Sequence, residues 1–197
     1  MTSTQADTIL SNVYHTLSLQ SSSDLEKYGR INDIVQQLQH INATRTINVK
    51  TTGTISERLC ELGLKSAVQD IYNNLGRDWK WIGDFSILGN PFNLIVSVKS
   101  FKAKERLIAS GSGHILSPTI GWGLFDDINE WSIDRLNSYA FRAFIAIYMP
   151  DDLYTNLSAE VRDKKNINGN QFVRPLDTFV NDLRNSIVNN KLDLTKI

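Results

Sequence analysis

The sequence predicts a mixed α/β or α+β fold, in which helices flank a central mixed β-sheet. Helical apolar periodicity fills the first third of the chain, two short apolar runs around a Gly-Asn-Pro turn follow, and a longer apolar run precedes a final helical segment. Helices on both sides of a strand-rich middle are typical of a sheet covered by helices. The 197 residues favour a single domain, with residues 1–45 as an N-terminal helical subregion.

The N-terminal helices are predicted from apolar residues at helical spacing. Residues 5–20 form the first helix. Ser23 followed by Glu26 is a capping-box pattern, so a second helix is expected to begin at Ser23. Its inward face would consist of Leu25, Tyr28, Ile31, Ile34, Val35 and Leu38.

A short strand and a third helix are predicted next. Residues 46–50 have strand character, and Thr54 with Glu57 forms another capping-box pattern, which would open a helix that reaches Leu75. Cys60 lies within this helical pattern, so we expect a buried and inert thiol.

The middle of the chain predicts a β-hairpin. Residues 80–88 and 93–101 are apolar runs with strand character, and Gly89-Asn90-Pro91-Phe92 separates them as a turn. The other predicted elements are helices over residues 102–109, 128–139 and 177–189 and a buried strand over residues 142–149.

Composition narrows the class of protein. Basic and acidic residues number 21 each, so bulk charge neither favours nor excludes nucleic acid as a partner. No apolar stretch approaches the roughly 18 residues of a membrane span, and the first residues lack a basic and then apolar leader, so we expect a cytoplasmic protein without membrane contact. The single cysteine excludes an internal disulfide, and the three scattered histidines lack zinc spacing.

The predicted hairpin brings an acid and a lysine together. A turn over residues 89–92 pairs the flanking strands so that Asp84 lies opposite Ser97. Because side chains alternate between faces, Lys99 shares the face of Asp84 and Ser97. Cross-strand β-carbons lie roughly 5 Å apart and diagonal ones about 7 Å apart, so these three side chains would converge. The alternate residues Phe85, Ile87, Leu94, Val96 and Val98 would build the core.

A carboxylate beside a lysine suits metal-dependent phosphodiester hydrolysis. Mg²⁺ binds through one or two carboxylates and keeps waters and phosphate oxygens as its other ligands. A lysine can orient a metal-bound water or stabilise the charge that grows on the phosphate. An ordinary Asp–Lys pair on the hydrated face of a hairpin is the alternative interpretation of this spacing.

The segment from Gly83 to Leu107 resembles the PD-(D/E)XK nuclease superfamily, which includes most type II restriction endonucleases. That pattern is an acid in one strand, a turn, and a second strand that ends in acid-x-Lys. Asp84 and the Ser97-Val98-Lys99 run match it, with Gly83 in place of the motif's proline and Ser97 in place of the second acid.

The resemblance implies a restriction-endonuclease-like fold and Mg²⁺-dependent cleavage of double-stranded DNA at a short, palindromic site. Asp84 would bind metal, Lys99 would hold the attacking water or stabilise the phosphate, and Ser97 would be a weaker, neutral metal ligand. The resemblance also implies a homodimer, for which the N-terminal helices are a candidate interface, and a cognate DNA methyltransferase as genetic partner.

Because Ser97 replaces an acid, a glutamate from elsewhere would complete the site. Glu57 and Glu61 lie one turn apart on the helix before the hairpin, and Glu105 follows the second strand. Asp84, Ser97 and Glu61 are the expected metal ligands, with Glu57 as an equal catalytic candidate. Each glutamate also has a structural alternative: Glu57 could cap its helix, Glu61 could lie on a solvated helix face, and Glu105 could form an ion pair within the basic segment. A site with Asp84 as its one carboxylate also stays open.

A basic and glycine-rich segment after the hairpin is predicted to contact DNA phosphates. A solvated helix and a flexible connector are the structural alternatives. The Asn-rich residues 163–171 could read adenine edges, but we interpret them as a loop. The predicted DNA contacts are Lys102, Lys104, Arg106, Ser110, Ser112 and His114. The tryptophans Trp79, Trp81, Trp122 and Trp131 are expected to lie mostly in the core or an interface.

Two other functions fit the same residues. One is a monomeric repair nuclease that nicks DNA. The other is a DNA-binding or scaffolding protein whose nuclease site has decayed through loss of the second acid.

Overall fold

The computed structural model describes residues 2–44, 47–101 and 117–197 of the chain. Its helices are α1 (Thr2–Thr16), α2 (Asp24–Gly29), α3 (Ile31–Thr44), α4 (Val49–Val68), α5 (Gly76–Trp79), α6 (Ile133–Phe141), α7 (Asp151–Asn156), α8 (Ala159–Asp163) and α9 (Phe179–Asn185). Its strands are β1 (Tyr72–Asn74), β2 (Phe85–Ile87), β3 (Gly89–Asn90), β4 (Leu94–Lys99), β5 (Thr119–Gly123), β6 (Phe144–Met149), β7 (Val173–Pro175), β8 (Ile187–Val188) and β9 (Lys191–Asp193).

A six-stranded mixed sheet forms the centre, in the order β1-β2-β4-β5-β6-β7. The pairs β1–β2 and β2–β4 are antiparallel, and β4 to β7 run parallel. Helices flank this sheet, so the predicted mixed α/β class with a mixed central sheet is confirmed. A small second sheet, β3-β9-β8, forms where the connection between β2 and β4 meets the C-terminal hairpin.

The two faces of the central sheet are covered by separate apolar clusters. The first contains Val96 and Val98 of β4 together with buried residues of α1 to α4, and the second contains Ile147 and Met149 of β6 together with Leu136 of α6. Side chains that alternate along a strand face opposite sides, so the sheet separates these clusters. The first cluster contains every residue predicted for the core face of the hairpin: Phe85, Ile87, Leu94, Val96 and Val98.

Tyr28 connects the N-terminal helices to the sheet. Its hydroxyl donates to the Leu176 carbonyl at 3.0 Å and accepts from the Trp122 indole at 3.1 Å. Gly63 of α4 leaves room for this ring, because a Cβ there would lie 2.6 Å from it. The buried residues of α1 to α3 belong to the same first apolar cluster.

The predicted second helix is two helices. The Ser23–Glu26 capping box is confirmed, but α2 ends at Gly29 and α3 starts at Ile31. Arg30 between them has a non-helical φ of -108° and ψ of 25°. Leu25 is 46% exposed, so its predicted place on the inward face is wrong.

The predicted start of the third helix is also wrong. Helix α4 begins at Val49, because the Asn48 side chain caps it by accepting from the Thr51 N–H at 2.9 Å. Residues 47–50 therefore contain no strand. The Thr54 hydroxyl donates to the Lys50 carbonyl inside the helix, so Glu57 lies in mid-helix and does not complete a capping box.

Other elements also differ from prediction because local turns interrupt the patterns. The third helix ends at Val68 rather than at Leu75, and Tyr72–Asn74 form strand β1. Residues 80–84 precede strand β2, which begins at Phe85 after the short helix α5. The C-terminal helix ends at Asn185, and β8 and β9 form a hairpin in which Asn189 and Asn190 have φ of 52° and 58°. The strand predicted over residues 142–149 is confirmed as β6, which is buried throughout.

No helix within the described ranges combines the length and the apolar character that crossing a membrane requires.

Substitution at Gly83 tests how tightly the segment before β2 lies against β4. A Cβ at Gly83 would lie 2.4 Å from Ile95 Cγ2 and 3.0 Å from the Val96 carbonyl oxygen. We expect Gly83→Ala to lower the free energy of unfolding by about 1–3 kcal/mol in urea titrations. The matched control is Gly53→Ala in the interior of α4, where a Cβ meets nothing within 4 Å and helix propensity should stabilise by up to about 1 kcal/mol. Equal effects of the two substitutions would contradict this packing.

Candidate active site

The hairpin register places Asp84 beside the end of β4. The pairs Phe85–Val96, Ser86–Ile95 and Ile87–Leu94 are those that the sequence predicts. The regular pairing of the two strands stops before Asp84, whose backbone N–H donates to the Val96 carbonyl at 2.8 Å.

The Asp84 carboxylate is buried and held by the backbone of β4. The residue is 7% exposed, and its Oδ2 accepts from the Val98 N–H at 2.6 Å. Val98 lies between Ser97, which is fully buried, and Lys99, which is half-buried at the end of the strand. The structure therefore brings Asp84 to the Ser97-Val98-Lys99 segment through a backbone hydrogen bond.

Lys80 joins Asp84 to the helix α4. Its Nζ lies 2.8 Å from Asp84 Oδ1 and 2.6 Å from Glu57 Oε1. Lys80 follows α5, and its side chain is directed at a residue four positions along the chain. One ammonium group thus contacts two carboxylates that come from different elements.

Glu61 has other partners. Its Oε1 accepts from the Tyr72 hydroxyl at 3.3 Å and lies 4.0 Å from Lys65 Nζ. Burial and the charge of Glu61 raise the pKa of Tyr72 to about 12. Of the two glutamates on this helix, Glu57 is the one whose cationic partner is shared with Asp84.

The electrostatics of the site follow from this clustering. Burial lowers the pKa of Lys80, but hydrogen bonds to Asp84 and Glu57 and the charge of both outweigh it, so that the pKa lies above its ordinary value. Cys60 is buried as predicted, and burial raises its pKa well above the ordinary range. The charges of Asp84, Glu57 and Glu61 act on Cys60 in the same direction, so all three carboxylates lie within electrostatic range of one thiol.

Two carboxylates at one nitrogen are compatible with a hard cation. Mg²⁺ in proteins is commonly held through one or two carboxylates, and Asp84 and Glu57 are two carboxylates that contact one ammonium group. Within residues 2–44, 47–101 and 117–197, no three His, Cys, Asp or Glu side chains form a ready-made metal cage. A cation at these two carboxylates would therefore have to take most of its ligands from water or substrate.

The four tryptophans divide into two pairs. Trp122 and Trp131 lie in the two apolar clusters, as the sequence predicts. Trp79 and Trp81 are 54% and 59% exposed, on either side of Lys80. Their rings are 6.4 Å apart between centroids and 26° from parallel.

Several predicted residues cannot be placed in the site. The DNA-contact candidates Lys102, Lys104, Arg106, Ser110, Ser112 and His114, and the glutamate candidate Glu105, lie outside the described residues.

The Asn-rich loop is a structural loop. The side-chain amides of Asn166, Asn168 and Asn170 donate to the carbonyls of Ile197, Leu194 and Thr195 respectively. These groups fasten the C-terminus, in agreement with the interpretation of residues 163–171 as a loop.

A cavity of about 790 Å³ lies near the carboxyl ends of the parallel strands. Phe101, Phe125 and Leu153 form part of its wall, and Asp126 and Asp152 contribute carboxylates. The two carboxylates disfavour an anionic ligand, so this cavity does not suit a phosphate group.

Lys80 was not among the residues predicted for the site. The sequence places it in a strand, where it would be one charged residue in an apolar run. The residues Asn74-Leu75-Gly76 are typical of a turn and could have indicated that the strand begins later. In the structure the Asn74 side chain accepts from the Gly76 N–H at 2.8 Å, and Gly76 has a φ of 62°. This turn introduces α5 and delays the strand.

Comparisons with protein-family models, with curated proteins and with solved structures found no match to this chain.

Replacement of Lys80 tests whether it compensates the buried acid. We expect Lys80→Ala to lower the free energy of unfolding by about 1–3 kcal/mol, because Asp84 would lose its counter-charge while it stays desolvated. Chemical denaturation would measure the change. Lys65→Ala is the control on α4, since its 4.0 Å pair with Glu61 is exposed and should contribute less than about 1 kcal/mol. A Lys80→Ala protein as stable as the wild type would contradict the bridging role.

Proposed function

We propose that this chain is a Mg²⁺-dependent type II restriction endonuclease that hydrolyses double-stranded DNA at a short, palindromic site. The observation that carries the proposal is the buried Asp84 carboxylate. It accepts a hydrogen bond from the backbone of the Ser97–Lys99 segment, and it contacts the same Lys80 ammonium group as Glu57. This grouping has the composition expected for the nuclease pattern in the sequence. A restriction-endonuclease-like fold, a homodimer and a cognate DNA methyltransferase belong to the same proposal.

Each residue has a distinct role in the proposed reaction. Asp84 and Glu57 would hold Mg²⁺, and the Val98 N–H keeps the Asp84 carboxylate in place. Lys99 holds the attacking water or balances the charge that develops on the phosphate. Ser97 is a neutral group in the position of the missing acid, and its complete burial favours a packing role over that of a ligand.

Bound Mg²⁺ would supply polarisation of the phosphate and a water of lowered pKa. The carboxylates of Asp84 and Glu57 are its protein ligands in this proposal. For them to bind it, the Lys80 ammonium has to leave the position that it takes between the two oxygens.

A second candidate is a DNA-binding protein of the same fold without nuclease activity. The contacts of Lys80 favour this second candidate. Its ammonium group already neutralises the charge of both carboxylates at the position where a metal would bind. The two candidates differ in whether DNA is cut.

Incubation with plasmid DNA of varied sequence and Mg²⁺ tests the proposal. We expect wild-type protein to linearise DNA that contains its site, and Asp84→Asn and Lys99→Ala to lower the rate by at least about 10²-fold. The first substitution weakens a ligand of the metal, and the second removes charge stabilisation at the reacting phosphate. Lys191→Ala, at an exposed lysine of β9, is the matched control and should cut normally.

Three outcomes would count against the proposal. Intact supercoiled DNA throughout would favour the inactive DNA-binding protein. A monomer in gel filtration that leaves only nicks would favour a repair nuclease. A Lys99→Ala protein as active as the wild type would remove Lys99 from the site.

The stability of Lys80→Ala in Mg²⁺ tests the cation site without reference to activity. Removal of the ammonium leaves Asp84 and Glu57 free to bind metal, so Mg²⁺ should raise the thermal midpoint of Lys80→Ala more than that of the wild type. Adding Glu57→Gln to Lys80→Ala should abolish the extra shift. Equal Mg²⁺ shifts in wild type and Lys80→Ala would contradict a metal site at these two carboxylates.

A further inference from the structure

Arg77 is an exposed arginine whose guanidinium group is not used by the fold. Within the part of the chain that the structure describes, no hydrogen bond or ion pair holds this group. A guanidinium group carries several N–H donors in a rigid, planar arrangement, and those of Arg77 are available to a ligand. Each of the other arginines at described positions contacts a protein oxygen: Arg30, Arg58 and Arg174 a carboxylate, Arg135 the Tyr139 hydroxyl, and Arg142, Arg162 and Arg184 a backbone carbonyl.

The turn that contains Arg77 places it on the same side as Lys80. The Arg77 carbonyl accepts from the Lys80 N–H at 3.4 Å, so a single helical turn separates the two residues. Side chains three positions apart on such a turn lie one above the other. Because the Lys80 ammonium reaches Asp84 and Glu57, Arg77 borders the acidic site that these two carboxylates form.

The nearby acids leave Arg77 without a counter-charge. Lys80 contacts both carboxylates of the acidic site. Asp78 is the next residue in the sequence, and side chains of consecutive helical residues do not face each other. A guanidinium group with available donors therefore lies beside the place where the reacting phosphate would bind.

We propose that Arg77 is a positioning residue that binds a backbone phosphate of duplex DNA next to the phosphate at the acidic site. The inference deepens the proposed function, on which it rests. A guanidinium group matches two phosphate oxygens through parallel hydrogen bonds, and it stays charged at any ordinary pH. A contact of this kind fixes the register of the duplex without reading its bases.

The contact also has an electrostatic reason. Two carboxylates repel a polyanion, and the Lys80 ammonium is already held by them. A further cation at the rim of the site offsets this repulsion and attracts the DNA backbone. Arg77 supplies that charge from an element other than those that carry Glu57 and Lys99.

The salt dependence of DNA binding in EDTA tests this contact without cleavage. The probe is a short, fully paired duplex of arbitrary sequence, and its affinity is measured at several salt concentrations. Each phosphate contact contributes about 0.9 to the slope of log affinity against log salt concentration, because it releases condensed counterions. We expect Arg77→Ala to reduce the magnitude of the slope by about 1 and to weaken binding at low salt about 10-fold. Arg77→Lys should keep the wild-type slope, since the charge remains, but bind more weakly than the wild type because an ammonium group cannot make the paired contact.

Lys165→Ala is the matched control, because it removes the same charge from an exposed position at the opposite edge of the sheet. Lys165 pairs with Gln171 just before β7, whereas Lys99 ends β4, and the strands from β4 to β7 run parallel. Its slope and affinity should equal those of the wild type. An equal change in Lys165→Ala would show an effect of net charge and would overturn the contact.

Other results would also count against Arg77. An Arg77→Ala protein with the wild-type slope, even one of lower affinity, has lost no phosphate contact. Wild-type protein that does not bind the duplex at low salt removes the ligand itself. An equal loss of affinity for poly-glutamate and for the duplex would make Arg77 a contact for acidic protein, which also overturns the assignment to DNA.

The phosphate contact and the nuclease fail separately. Plasmid cleavage by a protein whose Arg77→Ala variant keeps the wild-type slope overturns only the contact. A reduced slope in Arg77→Ala, in a protein that cuts no plasmid, overturns only the nuclease.

Discussion

Burial of one carboxylate organises this part of the molecule. A desolvated carboxylate is stable only with hydrogen bonds and a counter-charge, and Asp84 obtains the first from the Val98 N–H and the second from Lys80. To reach Asp84, the chain forms the short helix α5 before β2, which turns Lys80 inward. The same turn directs Trp79 and Trp81 outward. The acidic site and the aromatic surface beside it therefore have a common structural cause.

Asp84 lies where the antiparallel pairing between β2 and β4 ends. On one side β4 pairs antiparallel with β2, and on the other it runs parallel to β5. Regular pairing between β2 and β4 begins only at Phe85, and the Asp84 side chain takes a backbone donor of β4. The place where the pairing ends is thus also where Lys80 links Asp84 to the α4 carboxylate Glu57.

Period-two alternation was sufficient to predict the register of the hairpin, although not where β2 begins, because a one-residue error would have turned Val96 and Val98 away from the core. The continuous apolar run of β6 was equally clear. The contact between Lys80 and Glu57 could not be predicted from the sequence, because it depends on where α4 starts. Asn48 and Thr54 are both suitable helix caps, and Asn48 is the residue that caps α4. Asn189 and Asn190 mark a two-residue turn with positive φ, a signal that the helical periodicity of the neighbouring residues concealed.

The Tyr28 hydroxyl has a consequence for the order in which the chain folds. Its two partners, Trp122 and Leu176, lie 94 and 148 positions further along. Contacts between such distant positions require closure of long loops, which slows folding relative to helical bundles. During synthesis the N-terminal helices leave the ribosome first, and their apolar side stays without its final partner until the strand region has followed. The helices around Tyr28 are thus made before the strands and the C-terminal residues that complete their core.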